Sequence, residues 1–168
     1  AREARGLSLR EASAASRIEF KSIHGYENGI EPGFSYAVIL CDVYGIALEV
    51  FVGLVSKNPW RRARGEGYSK NRKKITMGGL FREARVARGL STREAAKGST
   101  INNVSITRYE NDRTEPRFRA AVVLCDFYGI DVQLLADIVR EKYKTKVKRG
   151  KRAMKTEQGK KHWYLCEE

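Results

Sequence analysis

Two stretches of this chain repeat one another, and that limits what it can fold into. Ala4-Arg5-Gly6-Leu7-Ser8, Arg10-Glu11-Ala12 and Tyr26-Glu27-Asn28 recur 83 residues later. After a one-residue difference in the loop, Glu31-Pro32, Phe34, Ala37-Val38, Leu40-Cys41-Asp42 and Tyr44-Gly45-Ile46 recur 84 residues later. Self-similarity at a fixed period marks one structural unit per period. The 168 residues therefore divide into two small domains. The boundaries read as a first domain over 1–55, a basic linker over 56–76, a second domain over 77–140 and a basic C-terminal tail over 141–168. Repeat 1 has no counterpart of Gly79 to Glu83, so it is expected to open inside a truncated first helix.

The richest chemistry lies between Gly89 and Pro116. Ser91 with Glu94 three residues on forms a capping box, the start of a short helix. Ala95 and Ala96 are small enough for another helix to approach closely. Ser99 and Thr100 make a turn, and Asn102 caps a second helix after the apolar anchor Ile101. That helix turns Ile101, Ile106 and Tyr109 inward and Asn102, Asn103, Ser105, Thr107 and Arg108 outward. Asn111 and Asp112 favour a turn, and Pro116 blocks a continuing helix. On the flanking helices, Leu80, Ala84 and Ala87 read as inward positions of helix 1, and Cys41 and Cys125 as equivalent core positions of helix 4.

This unit resembles the helix-turn-helix of the Cro and lambda-repressor-like (Xre-type) family. The resemblance rests on Gly89-Leu90-Ser91, Arg93-Glu94-Ala95-Ala96, Ile101, Ile106, Tyr109-Glu110-Asn111 and Pro116. The family usually has Leu where Ala95 stands and Gly where Thr100 stands. The expected fold is all-α, with two tandem five-helix lambda-repressor-like domains joined by the basic linker. The resemblance further implies internal ion pairs, Arg85 with Glu110 and Arg2 with Glu27. It implies phosphate contacts from Thr92, Asn111, Arg113 and Arg117, to which Arg93 and Asn28 are added. It implies a transcriptional regulator, above all a repressor of the phage-immunity kind, bound to operator DNA.

The chemistry of the outward face fits such a role. Asn offers a two-pronged hydrogen-bond pattern to adenine, and Arg offers one to guanine. Asn102, Asn103, Ser105, Thr107 and Arg108 are therefore the expected base or near-base contacts, since the first turns of a recognition helix enter the major groove. Repeat 1 is poorer. Glu19, Phe20 and Gly25 replace Asn102, Asn103 and Arg108, and the counterparts of Arg113 and Arg117 fall in the Ile30 region and at Gly33. Lys21, Ser22 and His24 remain its candidate base contacts. Two readings stay open: repeat 1 reads a second, different half-site, making the chain a monomeric pseudo-dimer, or repeat 1 is a docking or dimerisation domain of a homodimer or an adaptor.

The net charge of +13 points to a polyanionic partner, and non-specific nucleic-acid binding is a third reading. In the linker, Arg61, Arg62, Arg64, Lys73 and Lys74 suit either a phosphate-tracking arm or a solvated spacer. The Leu/Val/Phe-rich segment after Leu48 is a candidate for packing on the other copy, or else closes its own core. Beyond Val147 the composition predicts disorder in the absence of a polyanion. Cys41, Cys125 and Cys166 have no paired spacing, which suits a reducing cytoplasm. No motif suggests an enzyme site, a cofactor or a metal cluster, and no apolar run approaches the ~20 residues that span a membrane.

Overall fold

A computed structural model describes residues 2–55 and 75–163, with side chains placed over 2–53 and 75–147. The described residues are all-helical. Repeat 1 opens on a short 3-10 turn, Glu3–Arg5, closed by Gly6 in the left-handed region. There follow α1 (Leu9–Ser16), α2 (Phe20–Glu27), α3 (Phe34–Tyr44) and α4 (Leu48–Val55). Repeat 2 consists of α5 (Met77–Ala87), α6 (Thr92–Ser99), α7 (Asn103–Glu110), α8 (Phe118–Tyr128) and α9 (Val132–Trp163). The capping residues explain the starts. Ser8 and Ser91 each form a full capping box, with Glu11 and Glu94, and Thr76 accepts from Gly79 N–H at the head of α5.

In repeat 2, α5 lies across α7 and closes on it tightly. A Cβ on Gly78 would collide with the Tyr109 carbonyl, and the Gly78 N–H donates to Asp112 Oδ1 at 3.0 Å. Leu80, Phe81 and Ala84 are buried on this helix. Ala87, expected inward, is exposed: the buried stripe runs through Leu80, Phe81 and Ala84, and Ala87, the last residue of α5, lies beyond the core. Cys41 and Cys125 are buried among apolar side chains, and burial pushes the Cys41 thiol up to about 11 and Cys125 further in the same direction.

The two repeats share one continuous core. Phe34 and Phe118 stack across the junction, ring centroids 5.9 Å apart and planes 11° apart. The segments before them pair as a two-residue antiparallel bridge, Gly33 against Arg117. The Phe34 N–H donates to the Pro116 carbonyl at 3.1 Å, and the Phe118 N–H donates to that of Pro32 at 3.0 Å. Neither α3 nor α8 has a side-chain cap of its own. Each is capped by the other repeat: Glu115 accepts from the Ser35 N–H at 2.6 Å, and Glu31 from the Arg119 N–H at 2.7 Å. An exposed helix start has unmet N–H groups and a partial positive charge, so a carboxylate there is stabilising.

Every one of these contacts maps onto itself when the two repeats are exchanged. The junction is therefore an isologous interface of the kind two identical chains form about a two-fold axis, built within one chain. Gln133 Nε2 donates to Glu49 Oε1 at 2.6 Å, a pair of equivalent positions meeting on that axis. The segment after Leu48 does pack on the other copy, with Phe51 edge-on to Phe118 at 6.1 Å.

The exchange symmetry breaks at α9. Arg140 grips Asp42 with two hydrogen bonds, 2.8 and 3.0 Å, and Tyr143 Oη donates to the Ala15 carbonyl at 3.3 Å. Ser56 stands 84 positions before Arg140, so repeat 1 has no equivalent guanidinium. The disorder expected beyond Val147 is corrected here, because α9 runs on as helix to Trp163. Lys, Arg, Glu and Gln are all good helix formers, and that propensity outweighs their charge.

Candidate nucleic-acid interface

In each repeat the two helices of the motif meet at a turn built on a buried serine. Ser99 Oγ donates to the Ala95 carbonyl at 2.7 Å and accepts from the Ile101 N–H at 3.4 Å. Ser16 does the same with Ala12 and Ile18, at 2.6 and 3.3 Å. The next residue must then take a left-handed conformation, and Thr100 (φ +61°) and Arg17 (φ +54°) do so without being glycine. Behind the turn, Ala95 and Ala12 are fully buried, and Ile106 and Ile23 fill the space between the helices.

The C-terminal end of the second helix of each motif is tied to the core by an ion pair. Arg85 holds Glu110 through two hydrogen bonds, 2.7 and 2.8 Å, and also donates to the Leu90 carbonyl at 2.6 Å. Arg2 holds Glu27 at 2.8 and 3.1 Å and donates to the Leu7 carbonyl at 2.7 Å. The pairs differ in solvent access: the Glu110 side chain is 5% exposed and that of Glu27 is 34% exposed. The Arg2 guanidinium holds the Glu27 carboxyl below the usual carboxylate range.

On α7, Asn102, Val104, Thr107 and Arg108 are exposed, and Asn103 and Ser105 are half-buried. Asn102 Oδ1 accepts from the Val104 N–H at 2.8 Å, which commits its carbonyl to the cap and leaves its amide N–H groups outward. Thr107 Oγ1 donates to the Asn103 carbonyl at 2.9 Å and keeps its lone pairs for an incoming donor. Asn111 Nδ2 donates to the Thr107 carbonyl at 2.7 Å, so it finishes the helix. Arg93, Arg113 and Arg117 are exposed, and Thr92 is half-buried at the first turn of α6. A groove of about 450 Å³ separates α7 from the start of α8, lined by Ser105, Arg108, Arg117 and Arg119 and by Glu31 of repeat 1.

On α2, Lys21 and His24 are exposed and Ser22 is half-buried. Asn28 Nδ2 donates to the His24 carbonyl at 2.7 Å, as Asn111 does in repeat 2. Glu19 is at the cap position but its side chain makes no cap hydrogen bond. Arg61, Arg62, Arg64, Lys73 and Lys74 lie outside the described residues.

Two apolar side chains lie exposed on these faces: Val104, which sequence reasoning passed over, and Phe20, which it noted only as the replacement of Asn103. Val104 is 53% exposed and Phe20 is 48% exposed. Val104 precedes Thr107 and Arg108 by three and four residues, a helical spacing that places it on the same outward face. Arg119 was also passed over, because its place beside Arg117 depends on the inter-repeat junction. Among the described residues no group of His, Cys, Asp and Glu is arranged to hold a metal ion, and no helix is long and apolar enough to cross a membrane.

A family model described as a helix-turn-helix domain matches residues 76–138, and another, described as helix-turn-helix, matches residues 1–51. No curated protein and no solved structure matches the chain.

Proposed function

Because the chain belongs, through both of its halves, to the Cro-like helix-turn-helix family of DNA-binding regulators, we propose that one chain does the work of a dimer on DNA. Repeat 2 reads a half-site in the major groove through Asn102, Asn103, Ser105, Thr107 and Arg108. Repeat 1 offers a chemically different recognition helix to an adjoining half-site, so the preferred site is asymmetric. The observation that carries this reading is the isologous junction of Phe34 on Phe118 with reciprocal capping by Glu31 and Glu115. A junction of this symmetry supports the reading because two identical chains pairing through it would be related by the same two-fold exchange. Thr92, Arg93, Asn111, Arg113 and Arg117, with Asn28 in repeat 1, position the protein on phosphates without reading sequence. The basic linker adds phosphate contacts from Arg61, Arg62, Arg64, Lys73 and Lys74. The outcome is transcriptional repression by occupation of an operator, of the phage-immunity type, in the cytoplasm.

Selection of bound duplexes from a random pool, near physiological salt, tests the reading. Two different half-sites at fixed spacing are expected. A palindrome would mean that repeat 2 alone reads and chains pair through another surface. No enriched sequence would turn the account toward an adaptor or a non-specific binder.

A second reading has one observation in its favour. Ile30 and Tyr36 are exposed in repeat 1, 58% and 46%, near where repeat 2 carries its arginines. Such a surface suits a protein partner better than a phosphate backbone. Unchanged DNA affinity and preference after Lys21→Ala and His24→Ala would favour it.

A further inference from the structure

The two recognition helices begin on opposite chemistries. In repeat 2 the cap residue Asn102 spends its Oδ1 on the Val104 N–H. In repeat 1 the equivalent Glu19 is exposed and makes no such bond, so both carboxylate oxygens are left to accept from an outside donor. The next residue, Phe20, exposes half of its ring where Asn103 stands in repeat 2. A large apolar side chain on the first turn of a helix, beside a free carboxylate, adds nothing to the core of repeat 1. Arg17 and Lys21 are exposed on either side and offset the repulsion between Glu19 and a phosphate backbone.

Resting on the DNA-binding reading above, we propose that Glu19 and Phe20 are specificity-determining residues with which repeat 1 reads a pyrimidine pair. Glu19 accepts a hydrogen bond from the exocyclic amine of cytosine. Phe20 packs on the 5-methyl group of thymine. Carboxylates select cytosine because it alone presents only an amine donor in the major groove, and the thymine methyl is the one apolar feature there. Repeat 2 carries Asn103 and Arg108, whose two-pronged patterns suit purines, while Asn102 keeps only its amide N–H groups for a base. The asymmetric site then has a purine-read half and a pyrimidine-read half along the strand each helix contacts.

The test applies duplex selection to the intact chain, to Glu19→Gln and to Phe20→Ala, followed by titration of the enriched duplex. Both residues are exposed, so the variants keep the fold. The expected result is a half-site with adjacent cytosine and thymine for the intact chain, with cytosine giving way to adenine for Glu19→Gln. Replacing that thymine by uracil, which removes one methyl group, should weaken the intact chain about fourfold and leave Phe20→Ala unaffected. The same base profile for the intact chain and Glu19→Gln, beside an intact repeat 2 half-site, would overturn this assignment alone. So would equal binding to thymine and uracil by the intact chain. No enriched duplex for any of the three would overturn the DNA reading, and this assignment with it.

Discussion

Phe34 and Phe118, equivalent positions of the two repeats, stack face to face at 5.9 Å and close the junction on its two-fold axis. Both rings are buried, and Phe51 adds an edge-on contact to Phe118 with no aromatic counterpart, because the equivalent position in repeat 2 is Leu135. Truncating a buried Phe removes transfer free energy and leaves a cavity, typically about 3–5 kcal/mol. Phe118→Ala should therefore lower the urea midpoint substantially and make the halves unfold in separate steps. A loss under about 1 kcal/mol with a single transition would show that the junction is incidental.

The two ion pairs share geometry but differ in burial, so their deletions should differ. The arginines are almost equally enclosed, but Glu110→Ala removes a carboxylate only 5% exposed, against 34% for Glu27, and leaves the Arg85 guanidinium where water has little access. Breaking a buried pair this way costs about 3–5 kcal/mol. Glu27→Ala opens a pair that water already reaches and should cost about 1 kcal/mol or less. Denaturation curves of the two variants check the ranking, and equal losses would contradict it.

Thr100 holds a left-handed conformation that costs a β-branched residue about 1–2 kcal/mol. Glycine relieves that strain but brings more unfolded-state entropy. Thr100→Gly should stabilise the protein by about 0.5–1 kcal/mol in thermal melts. A lower melting temperature would mean that the Thr100 hydroxyl, which donates to the Ser99 carbonyl at 2.6 Å, matters more than the strain.

Acid should unfold this protein in a defined direction. Glu27 is held below the ordinary 4.5 by its hydrogen bond from Arg2, and Glu94 and Glu11 by their bonds from Ser91 and Ser8. A carboxyl whose folded pKa is depressed contributes stability that is complete above its unfolded value and fades as pH falls through the folded one. Stability should be level between about pH 5 and pH 7 in this respect, then decline below about pH 4.5. Denaturant midpoints that hold constant down to pH 3 would contradict this.

Most of these relationships were partly legible in the chain. Repeated Ser-x-x-Glu pairs marked the capping boxes, and the spacing of Ile101, Ile106 and Tyr109 marked the inward face. Ala87 was misplaced because a helical spacing does not reveal that the buried stripe of α5 ends at Ala84, one turn before the helix does. The length of α9 was hidden because charge density argued for disorder while propensity favoured helix. The reciprocal caps were unreadable for a different reason. Glu31 and Glu115 recur in the repeat, but a carboxylate two residues before a glycine or arginine at a helix start says nothing about which helix it will cap in space. Likewise Val104 was given no face by its spacing, and Phe20 was read only as a replacement for Asn103; their exposure shows once Ile106 and Ile23 fill the space between the helices.

Arg108 and Arg117 should fail in different ways. Arg108→Ala should cost about 1–3 kcal/mol on a matched duplex and relax preference at one position. Arg117→Ala should weaken binding on all sequences alike and reduce the salt slope by about one. Titrations at several salt concentrations separate the two, and a uniform loss for Arg108→Ala would remove it from the base readers.

The most direct test of the account is the stoichiometry of the specific complex. Native mass spectrometry of the intact chain on its selected duplex should give one protein chain per duplex, with no dimer of the free protein at micromolar concentration. Two chains on one palindromic duplex would contradict the claim that this chain carries its own dimer.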